Sequence, residues 1–296
     1  MERQRTHAER RAARDGWFAP ESVIRRVGNS PLTPLLGGGP AVLLQVAHPL
    51  VAAGVVAHSD YRRDLWRRLH RTLRALYLIT YGTKAEAESA GAVVHAVHAR
   101  VRGRTETELG PFPAGTPYSA DDPELMLWVH ATLVECSLAT YTRFVAPLAG
   151  DEQERYYREM CLVARIFGTP AEVLPGSLAE FRAWFRETAA GGSIVVTPPA
   201  REVAAVILRA PLPLPIRLIA PAHRLSTAAL LPPRLRDEYG LAWTPAHALL
   251  LPLAARTVRY AAAPLFLAAE RSARPNLAPR PRRVAVAHGA DADERT

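Results

Sequence analysis

Apolar residues recur at helical spacing along most of the chain, and glycines, prolines and capping residues separate the segments. The run 41–58 is apolar almost all round, which is typical of a buried central helix. Residues 193–197 form the one β-rich run, and it is short. The pattern predicts further helices at 61–81, 84–102, 122–146, 151–167, within 175–190, and near 200–210, 222–231, 233–239 and 245–270.

These helices need one another for burial, so we predict an all-α fold with a single globular helical domain. We expect this domain at 37–270, after a polar lead-in of 1–36 and before a disordered basic tail of 271–296. The run 37–40, Gly-Gly-Gly-Pro, is interpreted as a turn that opens the domain. It lacks the Lys-Ser/Thr pair of a phosphate-binding loop.

The chain has 296 residues and a formal net charge of +9, nearly all of it from arginine, since Lys84 is the one lysine. No basic stripe is interleaved with aromatic residues, so we expect no binding to nucleic acid. Cys136 and Cys161 are the only cysteines. Two cysteines are too few for a disulfide framework or a Cys-rich zinc site.

The polar start of the sequence lacks an apolar signal region, so we expect a cytoplasmic protein that is not secreted. No run of about 18 apolar residues is free of charge, so we expect no membrane-spanning helix. The segment 204–222 is apolar but interrupted by Arg209, Arg217 and several prolines. We expect it to be buried and irregular, with peripheral contact to a membrane as the alternative.

Polar residues within otherwise apolar helices are the candidates for chemistry. Arg68, Arg71 and Thr72 share one face of the helix predicted at 61–81, next to an apolar side. They form either a solvated basic face or an anion-binding edge of the core, since an arginine at a core edge usually holds an anion.

His95, His98 and Arg102 follow on the next predicted helix, surrounded by valines. Imidazole can ligate a metal and guanidinium can pair with a carboxylate. Haem offers both partners, an iron and two propionates, in one molecule. The alternative is a core histidine whose hydrogen bonds are satisfied by neighbouring groups.

Gln45 and His48 lie three residues apart in the apolar run 41–58, where they either bond to backbone or line a polar pocket. His130 is a further histidine, on the helix predicted at 122–146. The chain has no Cys-x-x-Cys-His motif, so any haem is held without covalent attachment.

Five stretches together resemble one known family. They are LLQVAHPLVAAGVVAHSDYRRDLWRRLHRTLRALYLITYGT, HAVHARVRG, YSADDPELMLWVHATLVECSL, ERYYREM and YGLAW. They are similar to the MpaB-type oxygenase family, which includes the catalytic domain of rubber oxygenase. The resemblance implies an all-α fold with a non-covalent b-type haem in a pocket between central helices. It also implies an oxygenase that adds O₂ to carbon–carbon double bonds of isoprenoid chains.

The resemblance also implies roles for individual residues. His98 matches the proximal iron ligand of the family, and Arg102 matches the arginine of its His-x-x-x-Arg pattern and would pair with a propionate. Arg68 and Thr72 match an arginine and a threonine that flank the haem. His130 matches a recurrent family histidine, to which we give a supporting role.

One departure from the family concerns the distal side of the haem. The rubber enzyme has a lysine just before the threonine that can cap the iron, whereas this chain has Arg71, whose guanidinium stays protonated and cannot ligate iron. The central run also lacks a carboxylate to serve as a base. We therefore expect His48 as the acid/base group, with Gln45 as a hydrogen-bonding residue of the pocket.

These observations predict a haem b-dependent oxygenase that uses O₂ to cleave or oxygenate double bonds of a small, apolar, isoprenoid-like substrate. The first alternative is a helical protein that binds or senses haem without turnover. The second is a helical protein without cofactor, whose basic residues bind lipid or a partner.

Overall fold

Helices make up nearly all regular structure in the part of the chain that the computed structural model describes, residues 15–59, 61, 65–209 and 220–262. The predicted all-α fold is therefore confirmed. The helices are α1 (Val23–Gly28), α2 (Leu32–Val46), α3 (Pro49–His58), α4 (Leu65–Tyr81), α5 (Lys84–His98), α6 (Pro123–Phe144), α7 (Gly150–Ile166), α8 (Leu178–Ala190), α9 (Pro198–Arg209), α10 (Ala220–Leu230), α11 (Pro233–Glu238) and α12 (Pro245–Thr257). A 3₁₀ turn at Ala171–Val173, a π-helical turn at Val258–Ala262 and the antiparallel strands β1 (Arg102–Arg104) and β2 (Pro117–Ser119) complete the described elements.

Helices α2 and α6 form the centre of the main core, and both are buried over most of their surface. Trp128 of α6 is buried, and its Nε1 donates a hydrogen bond to the Leu44 carbonyl of α2 at 3.1 Å. Its ring stacks on Phe185 of α8, with the ring centres 5.5 Å apart. Because the buried indole N–H is satisfied, this contact fastens the end of α2 to α6 at little desolvation cost.

The three glycines that were expected to form a turn lie inside α2, so that prediction is wrong. A Cβ atom on Gly37 would lie 2.8 Å from Thr140 Oγ1 and 3.1 Å from the Cys136 carbonyl oxygen, both on α6. A Cβ on Gly39 would lie 2.9 Å from the ring of His223 on α10. The glycines therefore permit close helix packing, and tertiary contact outweighs their weak helix propensity.

The apolar run 41–58 forms two helices rather than the single helix predicted. The axes of α2 and α3 meet at 105°. His48 lies at the bend with extended backbone, which a residue before proline prefers, and Pro49 begins α3. No single helix in the described ranges is long and apolar enough to cross a membrane. The bent pair meets that test by length and composition only.

Helices α4 and α5 pack as an antiparallel hairpin joined by a two-residue turn. A capping box begins α5, because the Thr83 hydroxyl accepts from the backbone N–H of Glu86 and the Glu86 carboxylate accepts from that of Thr83.

Helix α5 ends at His98, so the expected helix to residue 102 is too long. Arg102 lies on β1, which pairs with β2, and the predicted His98–Arg102 pair does not share a helix. A Cβ on Gly103 would lie 2.6 Å from the hydroxyl of Tyr118, so this glycine lets the tyrosine cross the strand. The β-rich run 193–197 forms no ladder within the described residues.

The expected boundary between residues 36 and 37 falls inside α2. Val23 and Val27 of α1 are buried in the main core, which thus begins before residue 37. The expected basic tail 271–296 and residues 210–219 of the apolar segment lie outside the described residues.

We expect Gly37→Ala to destabilise the fold by about 1–3 kcal/mol, because the new Cβ would crowd Thr140 and the Cys136 carbonyl. Gly38→Ala is the matched control on the same helix, since nothing lies within 4 Å of a Cβ there. That change should stabilise the fold by about 0.5–1 kcal/mol through helix propensity. Urea unfolding, followed by helical circular dichroism, measures the stability change of each variant. Stability changes of the same sign in the two variants would contradict the packing described.

Candidate functional site

The last turn of α5 places His98 on the side of the helix that packs against the rest of the protein. Gly91, nearly two turns earlier on the same side, allows α5 to lie against the Ile166 carbonyl of α7, which a Cβ would overlap. The Nδ1 atom of His98 is buried and has no hydrogen-bond partner among the described residues. Burial lowers the pKa of His98, and Asp121 partly opposes this. The ring is therefore neutral at pH 7, the form that ligates metals.

Asp121, in the loop before α6, brings further charged groups together near His98. Its Oδ2 lies 3.9 Å from Arg102 Nη2, and its Oδ1 lies 3.9 Å from His95 Nδ1. These distances are too long for hydrogen bonds, and the pairs are too exposed to add much stability. Oδ1 of Asp121 is buried and, like His98 Nδ1, has no hydrogen-bond partner among the described residues. We refer to His95, His98, Arg102 and Asp121 as the His98 cluster.

The first turns of α4 carry the predicted residues Arg68, Arg71 and Thr72. Arg68 is half-buried, whereas Arg71 and Thr72 are exposed. Burial, and then Arg71, lower the pKa of Arg68, but a guanidinium stays charged at neutral pH. The Thr72 hydroxyl donates to the Arg68 carbonyl at 3.2 Å. The two residues thus lie one turn apart, as predicted, with the hydroxyl engaged inside the helix.

An exposed apolar surface lies on the α4–α5 hairpin. Leu69 of α4 is 37% exposed, and Val93 and Val97 of α5 are 64% and 55% exposed. In an antiparallel hairpin the first turns of α4 lie beside the last turns of α5. These three residues, which we call the hairpin surface, are therefore at the same end of the hairpin as Arg68 and His98. Grouped exposed apolar side chains often mark a ligand site.

His48 has a structural role at the bend between α2 and α3. Its Nδ1 accepts a hydrogen bond from the backbone N–H of Leu50 at 3.3 Å, so it caps α3. Its ring packs against Phe112 at 5.5 Å. Burial lowers the pKa of His48 to about 4, and Asp122 partly opposes this. The ring is neutral at pH 7, with its hydrogen on Nε2, because Nδ1 accepts.

His130 and Gln45 belong to the two central helices. His130 of α6 is buried, and its Nε2 has no hydrogen-bond partner among the described residues. Burial lowers the pKa of His130 to about 4. Gln45 is half-buried on the last turn of α2. Their predicted supporting roles stay predictions.

The residues near the hairpin surface suit haem better than a bare metal ion. Within the described residues, no cluster of three or more His, Cys, Asp or Glu side chains could hold a metal. Haem iron takes four ligands from its porphyrin, so one protein imidazole can suffice. The neutral His98, the charged Arg68 and Arg102 and the hairpin surface fit a flat apolar group that carries two carboxylates.

The predicted residues include one group around His98 and another around His48. The adjacent carboxylates of Asp121 and Asp122 connect the two groups. Asp121 belongs to the His98 cluster, and the adjacent Asp122 caps α6 and acts electrostatically on His48. Asp121 was not among the site residues predicted from the sequence. No signal in the sequence pointed to Asp121, because its contacts depend on how the start of α6 meets α5.

Comparisons with known proteins point to one family. The family model described as ER-bound oxygenase mpaB/B'/Rubber oxygenase, catalytic domain, matches residues 25–260. Two uncharacterized proteins, from Mycobacterium bovis and Mycobacterium tuberculosis, are each 25% identical to this chain over 212 residues, or 70% of this chain and 80% of theirs. The structure of latex clearing protein in the closed state matches with a TM-score of 0.53 and 16% identity, over 94% of this chain and 74% of that one. At that identity the likeness shows a shared fold alone.

We expect protonation of His130 to weaken the fold in acid. Its pKa of about 4 lies below the ordinary value of 6.5, so its contribution is complete above pH 6.5 and is lost as the pH falls through 4. The loss amounts to about 3 kcal/mol. The free energy of unfolding, measured in urea, should differ less between pH 7 and pH 4 for His130→Leu than for the unchanged protein. His70→Leu, at an exposed position of α4, is the control, and an unaltered difference in His130→Leu would refute the assignment.

Proposed function

The chain belongs to the family of the MpaB oxygenase and rubber oxygenase catalytic domain, and from that premise we propose that it is a haem b-dependent oxygenase. Membership supports an oxygenase-type function. The haem dependence and the substrate are our inference from the residues at the hairpin surface. In this proposal the protein uses O₂ to cleave or oxygenate double bonds of a small, apolar, isoprenoid-like molecule.

The state of His98 is the observation that carries the proposal. A histidine with a buried, unpartnered ring nitrogen is uncommon, because buried polar atoms normally have hydrogen-bond partners. Its lowered pKa keeps the ring neutral and ready to ligate without first losing a proton. The hairpin surface at the same end of the hairpin supplies apolar area for a porphyrin.

Two arginines are suited to hold the carboxylates of the haem. Arg102 on β1 is exposed. Its Nε donates a hydrogen bond to the Ala99 carbonyl at 2.9 Å, and its Nη2 lies 3.9 Å from Asp121, so the outer N–H groups of its guanidinium are available for a propionate. Arg68 on α4 is half-buried and can pair with the second propionate or donate hydrogen bonds on the distal side. When bound, the haem supplies an iron that activates O₂.

We assign Asp121 as a positioning residue for His98. Metal-ligating histidines commonly donate their second ring N–H to a carboxylate or carbonyl, which sets the ring's tautomer and orientation. The unpartnered donor site on His98 Nδ1 and the unpartnered acceptor Asp121 Oδ1 belong to one cluster. A hydrogen bond between them, formed when haem binds, would leave Nε2 of His98 for the iron.

The chemistry of His48 and Arg71 limits the roles that they can have toward substrate and O₂. Because the α3 cap uses Nδ1 of His48, the neutral ring offers an Nε2–H that donates a hydrogen bond rather than a free base at pH 7. Arg71 is exposed and cannot ligate iron. Both residues would therefore act as hydrogen-bond donors rather than as a base or an iron ligand.

The exposed, non-ligating Arg71 also favours a second candidate, a protein that binds or senses haem without turnover. Both candidates retain haem and need His98. They differ in O₂ uptake: the oxygenase consumes O₂ when given a short isoprenoid alkene, whereas the binding protein consumes none.

We expect His98→Ala to lose haem while helical circular dichroism stays near that of the unchanged protein, because His98 is only half-buried. Haem binding is measured by titrating the apo-protein with haem and recording the Soret band. His95→Ala is the matched control, since it removes an exposed imidazole one turn earlier on α5 and should still bind about one haem. Stoichiometric haem in His98→Ala would exclude His98 as the ligand.

We expect Asp121→Asn to weaken haem binding by about 10- to 100-fold, since the carboxylate that orients His98 is lost. Glu124→Gln removes one negative charge from an exposed position on α6 and should leave the affinity unchanged. If both variants bind haem like the unchanged protein, Asp121 has no positioning role, while the assignment of His98 would stand.

A further inference from the structure

Helix α12 is apolar on two opposite faces, and only one of them packs against the rest of the protein within the described residues. On the inner face Ala255, together with Val258 of the following turn, joins Leu32 and Phe144 in a small second core. A surface helix normally carries polar residues on its outer face. An apolar outer face on such a helix therefore indicates a binding surface.

The outer face of α12 and the following turn carries large, exposed apolar side chains. Leu249, Leu253 and Tyr260 are 79%, 62% and 70% exposed, and Leu250 at the edge is 51% exposed. The spacing of four residues places Leu249 and Leu253 in line along α12, and Tyr260 follows in the π-helical turn. We call these four residues the α12 stripe.

Charge favours an anionic partner for this stripe. No acidic residue occurs from residue 239 to residue 269. Arg256 lies in line with the α12 stripe and is exposed. Arg259 instead points inward and donates to the carbonyls of Thr142 and Arg143. The outer face is thus apolar along its length and positively charged.

We propose that the α12 stripe docks on a membrane surface that contains anionic lipid, with α12 lying in the plane of the interface. Leucines buried at the boundary of the acyl chains, an arginine reaching the headgroups and a tyrosine at the interface are the features of a helix that binds in this way. The proposal stands on α12 alone and is independent of haem.

Two other occupants of this face, a second copy of the chain and the chain's own residues 263–296, are less compatible with its positive charge. A symmetric dimer through this face would bring Arg256 toward its own copy, with no acidic residue on the stripe to offset the repulsion. Residues 263–296 contain six arginines and four acidic residues, so they too carry net positive charge. Lipid phosphate is the partner that complements Arg256.

Co-sedimentation of the full chain with vesicles tests the proposal. We expect binding to vesicles of phosphatidylcholine with about one third phosphatidylglycerol, weaker binding to phosphatidylcholine alone, and a loss of the difference in high salt. The double variant Leu249→Gln/Leu253→Gln should bind at least about ten-fold more weakly, because two leucines no longer enter the apolar layer. Arg256→Gln should reduce the preference for anionic vesicles.

The control is Trp17→Gln, which removes an exposed apolar side chain outside both α12 and the hairpin surface and should sediment like the unchanged chain. Equal vesicle binding by the α12 double variant and the unchanged chain would overturn the proposal, as would an absence of binding by both. A lipid-free dimer that becomes monomeric in the α12 double variant, seen by light scattering, would identify the stripe as an interface between copies and overturn it as well.

Discussion

The close packing of α2 against α6 is the constraint on which the rest of the structure depends. Gly37 leaves room for Thr140, and the hydrogen bond from Trp128 to the Leu44 carbonyl fastens the end of α2. The bend that follows therefore lies near the start of α6, which the effect of Asp122 on the pKa of His48 reflects. The same packing holds the neighbouring Asp121 close to the last turn of α5.

Two surfaces of the described residues, the hairpin surface and the α12 stripe, expose large apolar side chains that no core buries. The hairpin surface is at the same end of the hairpin as Arg68 and as the neutral His98, whose Nδ1 has no hydrogen-bond partner among the described residues, a combination that suits a flat apolar cofactor with acidic edges. At the α12 stripe the exposed apolar side chains accompany Arg256 and no acidic residue, which suits a lipid interface. An enzyme for apolar substrates gains from both, since such molecules partition into membranes.

Helical periodicity predicted most of the fold, because it reports which faces are buried, but it says nothing about partners distant in sequence. The glycines at 37–39 resemble a turn until α6 and α10 are placed against them. The end of α5 was missed because the pairing of β1 with β2 takes Arg102 out of the helix. For the candidate site, His98 and Arg102 were predicted from the sequence. Asp121 was not, since its contact depends on how the start of α6 meets α5.

The central claim, that one b-type haem binds at His98, is tested most directly by a pyridine haemochrome assay. The full chain would be produced with a haem precursor and purified without added haem. We expect a Soret band and about one haem b per chain, because one imidazole, that of His98, is the proposed iron ligand. A colourless protein that also fails to take up added haem would contradict it and would leave the family relationship as one of fold.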